Sequence, residues 1–116
     1  MTPETIVIHI PIKLASVANL REHWAKKHKR AKSQRQAAAL FTRMNRREWM
    51  PSLISLTRHY SARGKEMDSD NLQRACKSVR DGVADGLGIL DNDPRVRWEY
   101  GQERADRTEV IVRLTP

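Results

Sequence analysis

The sequence predicts an α+β fold: one small domain spanning residues 1–116, with a mixed β-sheet and helices packed against it in the order β-α-β-α-β-β. Three observations predict it. Ile6, Ile8, Ile10 and Ile12 alternate with Val7, His9 and Pro11, the period of a half-buried strand. Leu72, Ala75, Cys76, Val79 and Val83 recur at helical spacing between an aspartate-rich start and a glycine-rich end. Val96, Trp98 and Tyr100 alternate again, and a polar turn at Arg104 to Arg107 leads to a last apolar run, Glu109 to Leu114.

Each element has a local reason. After the first strand, residues 13–32 lack a clean period and are crowded with Lys and Arg, which reads as a basic loop or helical turn ordered on a polyanion. Ser33 with Gln36 forms a capping box that opens a helix, whose apolar stripe is Ala37, Leu40, Phe41 and Met44, with Arg35, Arg43 and Arg46 on the other side. Pro51 stops that helix just after Trp49. Leu53 to Tyr60 is the second strand, and Ser61 to Lys65 a basic turn. Asp70 is the expected N-cap of the second helix, with Gln73 closing the box, and Gly86 and Gly88 end it. Asp91-Asn92-Asp93-Pro94 is a turn. There are no repeats and no Gly/Ser- or Pro-rich linker.

The composition narrows the function. The net charge is +8, and residues 1–65 hold 14 Lys and Arg against 3 Asp and Glu, whereas residues 66–116 hold 8 against 11. A strongly basic half suits a polyanion, and nucleic acid is the commonest one. No apolar run approaches membrane-spanning length and no secretory signal is visible, so no membrane partner is expected. Cys76 is the lone cysteine, which excludes an internal disulfide and suits a reducing cytoplasmic setting. Its place on an apolar stripe makes it a small core residue.

The acidic half concentrates carboxylates around one helix. Glu66, Asp68 and Asp70 precede or open it, and Asp91 and Asp93 follow it. Like charges gathered together repel unless a cation or proton neutralises them. From spacing alone, capping and turn formation are one explanation of these aspartates. A hard divalent cation is the other, because carboxylate oxygens without cysteine or regular histidine spacing suit Mg²⁺ rather than zinc. A calcium loop at Asp91 fails, since its sixth position is not glycine and Gln102 stands at its twelfth. His9, His23, His28 and His59 show no ligand spacing, and neither a nucleophilic triad nor a phosphate-binding glycine loop is visible. Trp24, Trp49 and Trp98 suit either base stacking or core packing, with core favoured for Trp98.

The run Asp68-Ser69-Asp70-Asn71-Leu72-Gln73-Arg74, a helix carrying Asp81-Gly82, then Gly88-Ile89-Leu90-Asp91-Asn92-Asp93 and Val96 resembles the RusA family, small Holliday-junction resolvases often carried by phages and prophages. The resemblance is specific over residues 66 to about 100; before residue 60 it rests on a first strand and on Asn19 in a basic segment. It implies a magnesium-dependent endodeoxyribonuclease that cuts four-way DNA junctions in recombination and repair. Asp68, Asp70 and Asp93 would be catalytic, and Asp68, Asp70, Asp91 and Asp93 would be the metal-holding set for Mg²⁺, with Mn²⁺ as a substitute. Whether Asp91 or Asp93 is the main later ligand stays open, since Asn92 splits the acidic pair. Arg74 stands where the family commonly has lysine and would neutralise charge on the reacting phosphate.

In that reading the segment from Arg21 to Arg47 grips phosphates without reading bases, with Arg21, Lys26, Lys27, Lys29, Arg30, Lys32, Arg35, Arg43 and Arg46 as DNA-binding residues. Two equivalent strands to cut make a two-fold homodimer the economical solution. The alternative is a non-catalytic DNA-binding module whose aspartates only cap a helix and shape a turn. A third reading keeps the site but gives it flaps or forks as substrate.

Overall fold

The structure is a computed structural model that describes residues 3–14 and 24–116. Its elements are β1 (Ile6–Ile10), α1 (Trp24–Asn45), β2 (Leu53–Tyr60), α2 (Ser69–Leu87), β3 (Arg97–Arg104) and β4 (Glu109–Thr115). This is the expected β-α-β-α-β-β order. The four strands form one mixed sheet, ordered β1-β4-β2-β3. β4 pairs antiparallel with β1 and β2, while β2 and β3 run parallel, joined by α2. A parallel pair needs a long crossover, and α2 supplies it. No helix among the described residues is long and apolar enough to cross a membrane.

Strand alternation sorts the sheet into two faces. Ile8, Ile10, Ile54, Leu56, Val110, Val112 and Leu114 point into the core, where they meet Leu72, Ala75, Cys76, Val79, Val83 and Leu87 of α2 and Ala38 of α1. The alternate residues form the other face. There His9 Nδ1 lies 2.9 Å from Glu109 Oε1, and His59 Nε2 lies 2.8 Å from Glu103 Oε1. Cys76 is fully buried, and burial pushes its thiol up to about 12, so it is inert packing as its sequence context predicts.

α1 differs from its sequence reading at both ends. It begins by Trp24, so residues 24–32 are helical rather than loop, and Ser33 lies inside it. The segment is rich in Ala, Lys and Arg, and neither Pro nor Gly occurs between Pro11 and Pro51, so nothing breaks the helix. Its first residues are exposed, and a helix that buries nothing shows no apolar period. It ends at Asn45, not after Trp49; Asn45 Nδ2 donates to Phe41 O and Arg47 Nη1 to Asn45 O, satisfying terminal carbonyls. The expected stripe is half kept. Ala37 and Phe41 pack, partly buried, against the core, but Leu40 is 54% and Met44 69% exposed, and the fully buried positions are Ala38, Ala39 and Thr42.

The reason lies on α2. A Cβ at Gly82 would collide with the backbone carbonyl of Arg35 and with Ala38, and one at Gly86 would meet Ala39 O and Thr42. The two glycines, four residues apart, let α1 approach backbone to backbone, so only small side chains fit on its inner face. Gly86 is therefore a contact residue inside α2 and does not end it. Gly88, at φ 72°, ends it, with its N–H donating to Asp85 O and that of Ile89 to Ala84 O.

Candidate phosphate-facing site on the second helix

The N-cap of α2 is Asp68, not Asp70. Asp68 is extended (φ −68°, ψ 166°), and its Oδ1 accepts from the backbone N–H of Asn71 at 2.9 Å. Asn71 Nδ2 returns to Asp68 Oδ2 at 2.9 Å, closing a two-way clasp. Asp70 falls in the first turn and is exposed. Both aspartates can cap by type, and the expectation of Asp70 fails because Met67 sets where the chain enters the helix. Its buried backbone is pinned by Gln102 of β3, whose Oε1 accepts from Met67 N at 3.0 Å and whose Nε2 donates to Met67 O. The same Oε1 accepts from Arg58 Nη1, which also donates to Lys65 O. Strands β2 and β3 thus fix the segment that delivers Asp68.

The second part lies about two turns further along α2. Lys77 Nζ donates to Asp81 Oδ1 at 2.9 Å and to Asp91 Oδ2 at 3.0 Å. Arg80 holds the turn in place: its Nη2 donates to Asp91 O at 2.6 Å and its Nη1 to Tyr100 Oη at 2.8 Å, while its guanidinium lies 4.6 Å from the centre of the Trp98 ring. The acidic turn is therefore folded back onto the helix that carries Asp68 and Asp70. Lys77 lowers the pKa of Asp91, and Asp81 and then Asp91 raise that of Lys77. Lys77 is an ammonium at neutral pH: it can neutralise a phosphate, but it cannot take a proton. Asp93 is engaged elsewhere. Arg95 bonds both its oxygens, at 3.0 and 2.7 Å, and draws its pKa down to about 2.

The predicted acidic residues are thus placed separately: Asp68 and Asp70 in one turn, Asp91 against Lys77, Asp93 on Arg95. Among the described residues, no group of three or more His, Cys, Asp or Glu side chains could hold a metal ion. The donors are carboxylate oxygens, which suit a hard cation, but the structure does not gather them into one cage. Arg74 is exposed one turn beyond Asp70. Sequence reasoning missed Lys77, Arg80 and Tyr100. The i,i+4 spacing of Lys77 and Asp81 is the signal that could have found the first.

The basic residues divide in two. Lys26, Lys27, Lys29 and Lys32 are exposed on the first half of α1, and Arg30 is half-buried there. Arg35 is tied to Asp85 by two bonds of 2.6 and 3.0 Å, and Arg46 Nη1 donates to Gly86 O at 3.1 Å, so both brace the helix pair. Arg43 is exposed near the end of α1. Arg21, with Asn19 and His23, lies outside the described residues.

Fold and site together define an α+β domain with a carboxylate–ammonium cluster on a capped helix, beside a second, basic helix. No family model, curated protein or solved structure matches the chain.

Proposed function

We propose that the chain is a magnesium-dependent endodeoxyribonuclease that resolves four-way DNA junctions, acting as a homodimer in the cytoplasm. One observation carries the reading: the Asp91 turn docks on α2 through Lys77 and Arg80, so both halves of the acidic motif share one helix with cations between them. The likeness of residues 66–100 to the RusA family supports the substrate, and the basic half supports a polyanion.

For Asp68 and Asp70 to hold the cation together with Asp91 or Asp93, as the resemblance implies, the later aspartate would have to leave Lys77 or Arg95, because the described arrangement does not bring the three together. Bound magnesium supplies positive charge to the scissile phosphate and acidifies the attacking water. The chain's own residues do the rest. Arg74 and Lys77 offset charge developing on the phosphate oxygens, as permanent cations placed before the reaction begins. Gln102 and Arg58 hold the Asp68 segment, and Arg80 holds the Asp91 turn, so neither must be ordered at the moment of cleavage. Lysines of α1 bind phosphates along the arms.

A second reading has its own support. Asp68 caps, Asp91 pairs with Lys77 and Asp93 with Arg95, so three of the four aspartates already have structural tasks. That favours a DNA-binding module without catalysis. Cleavage of a synthetic four-way junction beside linear duplex, with and without Mg²⁺, separates the two. The nuclease reading expects magnesium-dependent junction cutting that Asp70→Asn abolishes while the fold and metal-free junction binding persist. A folded Asp70→Asn protein cutting at the parent rate, or a parent that cuts nothing with Mg²⁺, would sink it.

A further inference from the structure

A groove of about 740 Å³ runs between the first half of α1 and the first half of α2. Trp24, Lys27 and Arg30 line it from α1, and Arg74, Lys77 and Arg80 from α2. Among the described lining residues Asp91 is the single carboxylate, and it is already bonded to Lys77. Those described residues also include Lys27, Arg30, Arg74, Lys77 and Arg80 on the two walls, a basic lining that complements a polyanion. The cations on both walls suit a chain of phosphates laid along the cleft.

The aromatic residue at its end narrows the occupant. Trp24 is 68% exposed and stands edge-on to His28, with ring centres 5.6 Å apart and planes at 78°. Trp24, Lys27, His28 and Ala31 share one face of α1 by spacing, and that face is turned to the groove. An indole beside a row of cations offers a stacking surface. Duplex DNA cannot use it, because its base faces are covered by neighbouring base pairs; an unpaired strand can.

We infer that this groove binds an unpaired DNA strand, with phosphates along Lys27, Arg30 and Arg74 and a base stacked on Trp24. The inference deepens the nuclease reading and rests on it for the identity of the polymer as DNA. It adds that the protein recognises the opened strand at a branch point, beyond the charge of the duplex arms.

The test is fluorescence anisotropy with the full chain, without metal, using a short labelled oligothymidylate and an abasic strand of equal length. Trp24→Ala should weaken oligothymidylate binding by about tenfold, the range for losing one stacked base. Trp24→Phe should restore most of it, and the abasic strand should not respond to either change. Lys27→Ala should weaken both strands and reduce the log–log salt slope by about 0.7, one phosphate contact on a single strand. Circular dichroism verifies that these variants, altered at exposed positions, remain folded. The inference is overturned if folded Trp24→Ala binds oligothymidylate like the parent. It is equally overturned if the abasic strand, or a polyglutamate of matched charge, binds as tightly as oligothymidylate. Failure here is distinguishable from failure of the nuclease reading. A chain that binds oligothymidylate through Trp24 yet leaves junctions uncut upholds the groove and removes the catalysis. One that cuts junctions but binds oligothymidylate without regard to Trp24 does the reverse.

Discussion

α1 and α2 lie against each other over the same sheet face, yet different physics holds each of them there. α2 presents a continuous buried stripe, with Cys76, Val79 and Val83 fully out of solvent, and is closed at both ends by caps. α1 fully buries only Ala38, Ala39 and Thr42, and leaves Leu40 and Met44 largely in water. The hydrophobic effect anchors α2 through area. α1 is anchored by backbone approach at Gly82 and Gly86 and by the Arg35–Asp85 and Arg46–Gly86 contacts. The contrast matches their proposed work. The helix that carries Asp68, Asp70 and Lys77 must hold their geometry. The helix proposed to offer lysines to phosphates can spend its surface on charge.

The strongest way to break this comparison is Gly82→Ala. Alanine is favoured over glycine in a helix by about 1 kcal/mol, so a substitution governed by propensity alone would stabilise. Here the new Cβ meets the Arg35 carbonyl, which is backbone and cannot rotate away. A net loss of about 3 kcal/mol is expected by urea unfolding. A gain would mean that α1 is not held by close approach.

The next test sets one helix directly against the other. Val79→Ala in α2 should cost about 2 kcal/mol, since it empties a fully buried site. Leu40→Ala in α1 should stay within about 0.5 kcal/mol, as for an exposed surface position. Equal costs would erase the distinction.

Smaller effects sharpen the picture at the helix ends and between the helices. Asp68→Ala removes the N-cap and should cost about 1 kcal/mol, whereas Asp70→Asn should cost a few tenths at about the scale of a first-turn charge. The reversed order would restore Asp70 as the cap. Arg35→Ala should cost under about 1 kcal/mol, a cost that shrinks further in high salt because the pair is solvent-facing.

The smallest effect lies in the acidic turn. Asp93 has its pKa lowered from an ordinary 3.8 to about 2 by Arg95. A carboxylate with a depressed folded pKa adds stability above its unfolded pKa and loses that contribution as pH falls through the folded value. The Asp93 share is therefore full above about pH 4 and disappears toward pH 2. NMR titration of the carboxyl group should show the low midpoint, and Arg95→Ala should move it up toward the ordinary value. An unmoved midpoint would remove Arg95 as the cause.

Much of this molecule was legible in its sequence because the relevant forces are local or periodic. Leu53–Tyr60 reads as a strand and is one, since alternation in a half-buried strand follows directly from the pleat. The α2 stripe is legible for the same kind of reason, and so is the sheet's mixed character, because a helix between two strands permits a parallel pair. The first half of α1 was not legible: exposed residues carry no period, and helix propensity alone does not mark a start. The half-kept stripe on α1 depended on which face met glycines some forty residues away.

At the site, the sequence determined the chemistry. It gathered carboxylates around one helix and cations in one half, and residue types cannot be altered by folding. The tertiary structure decided the pairing. Whether Asp68 or Asp70 caps depended on Gln102 of β3 holding Met67. That Asp91 meets Lys77 depended on Arg80 docking the turn, and that Lys27 and Arg30 of α1 face Arg74 across a groove depended on how close the two helices can come. Each is a contact between residues distant in the chain, set by packing and by the need to pair buried polar groups.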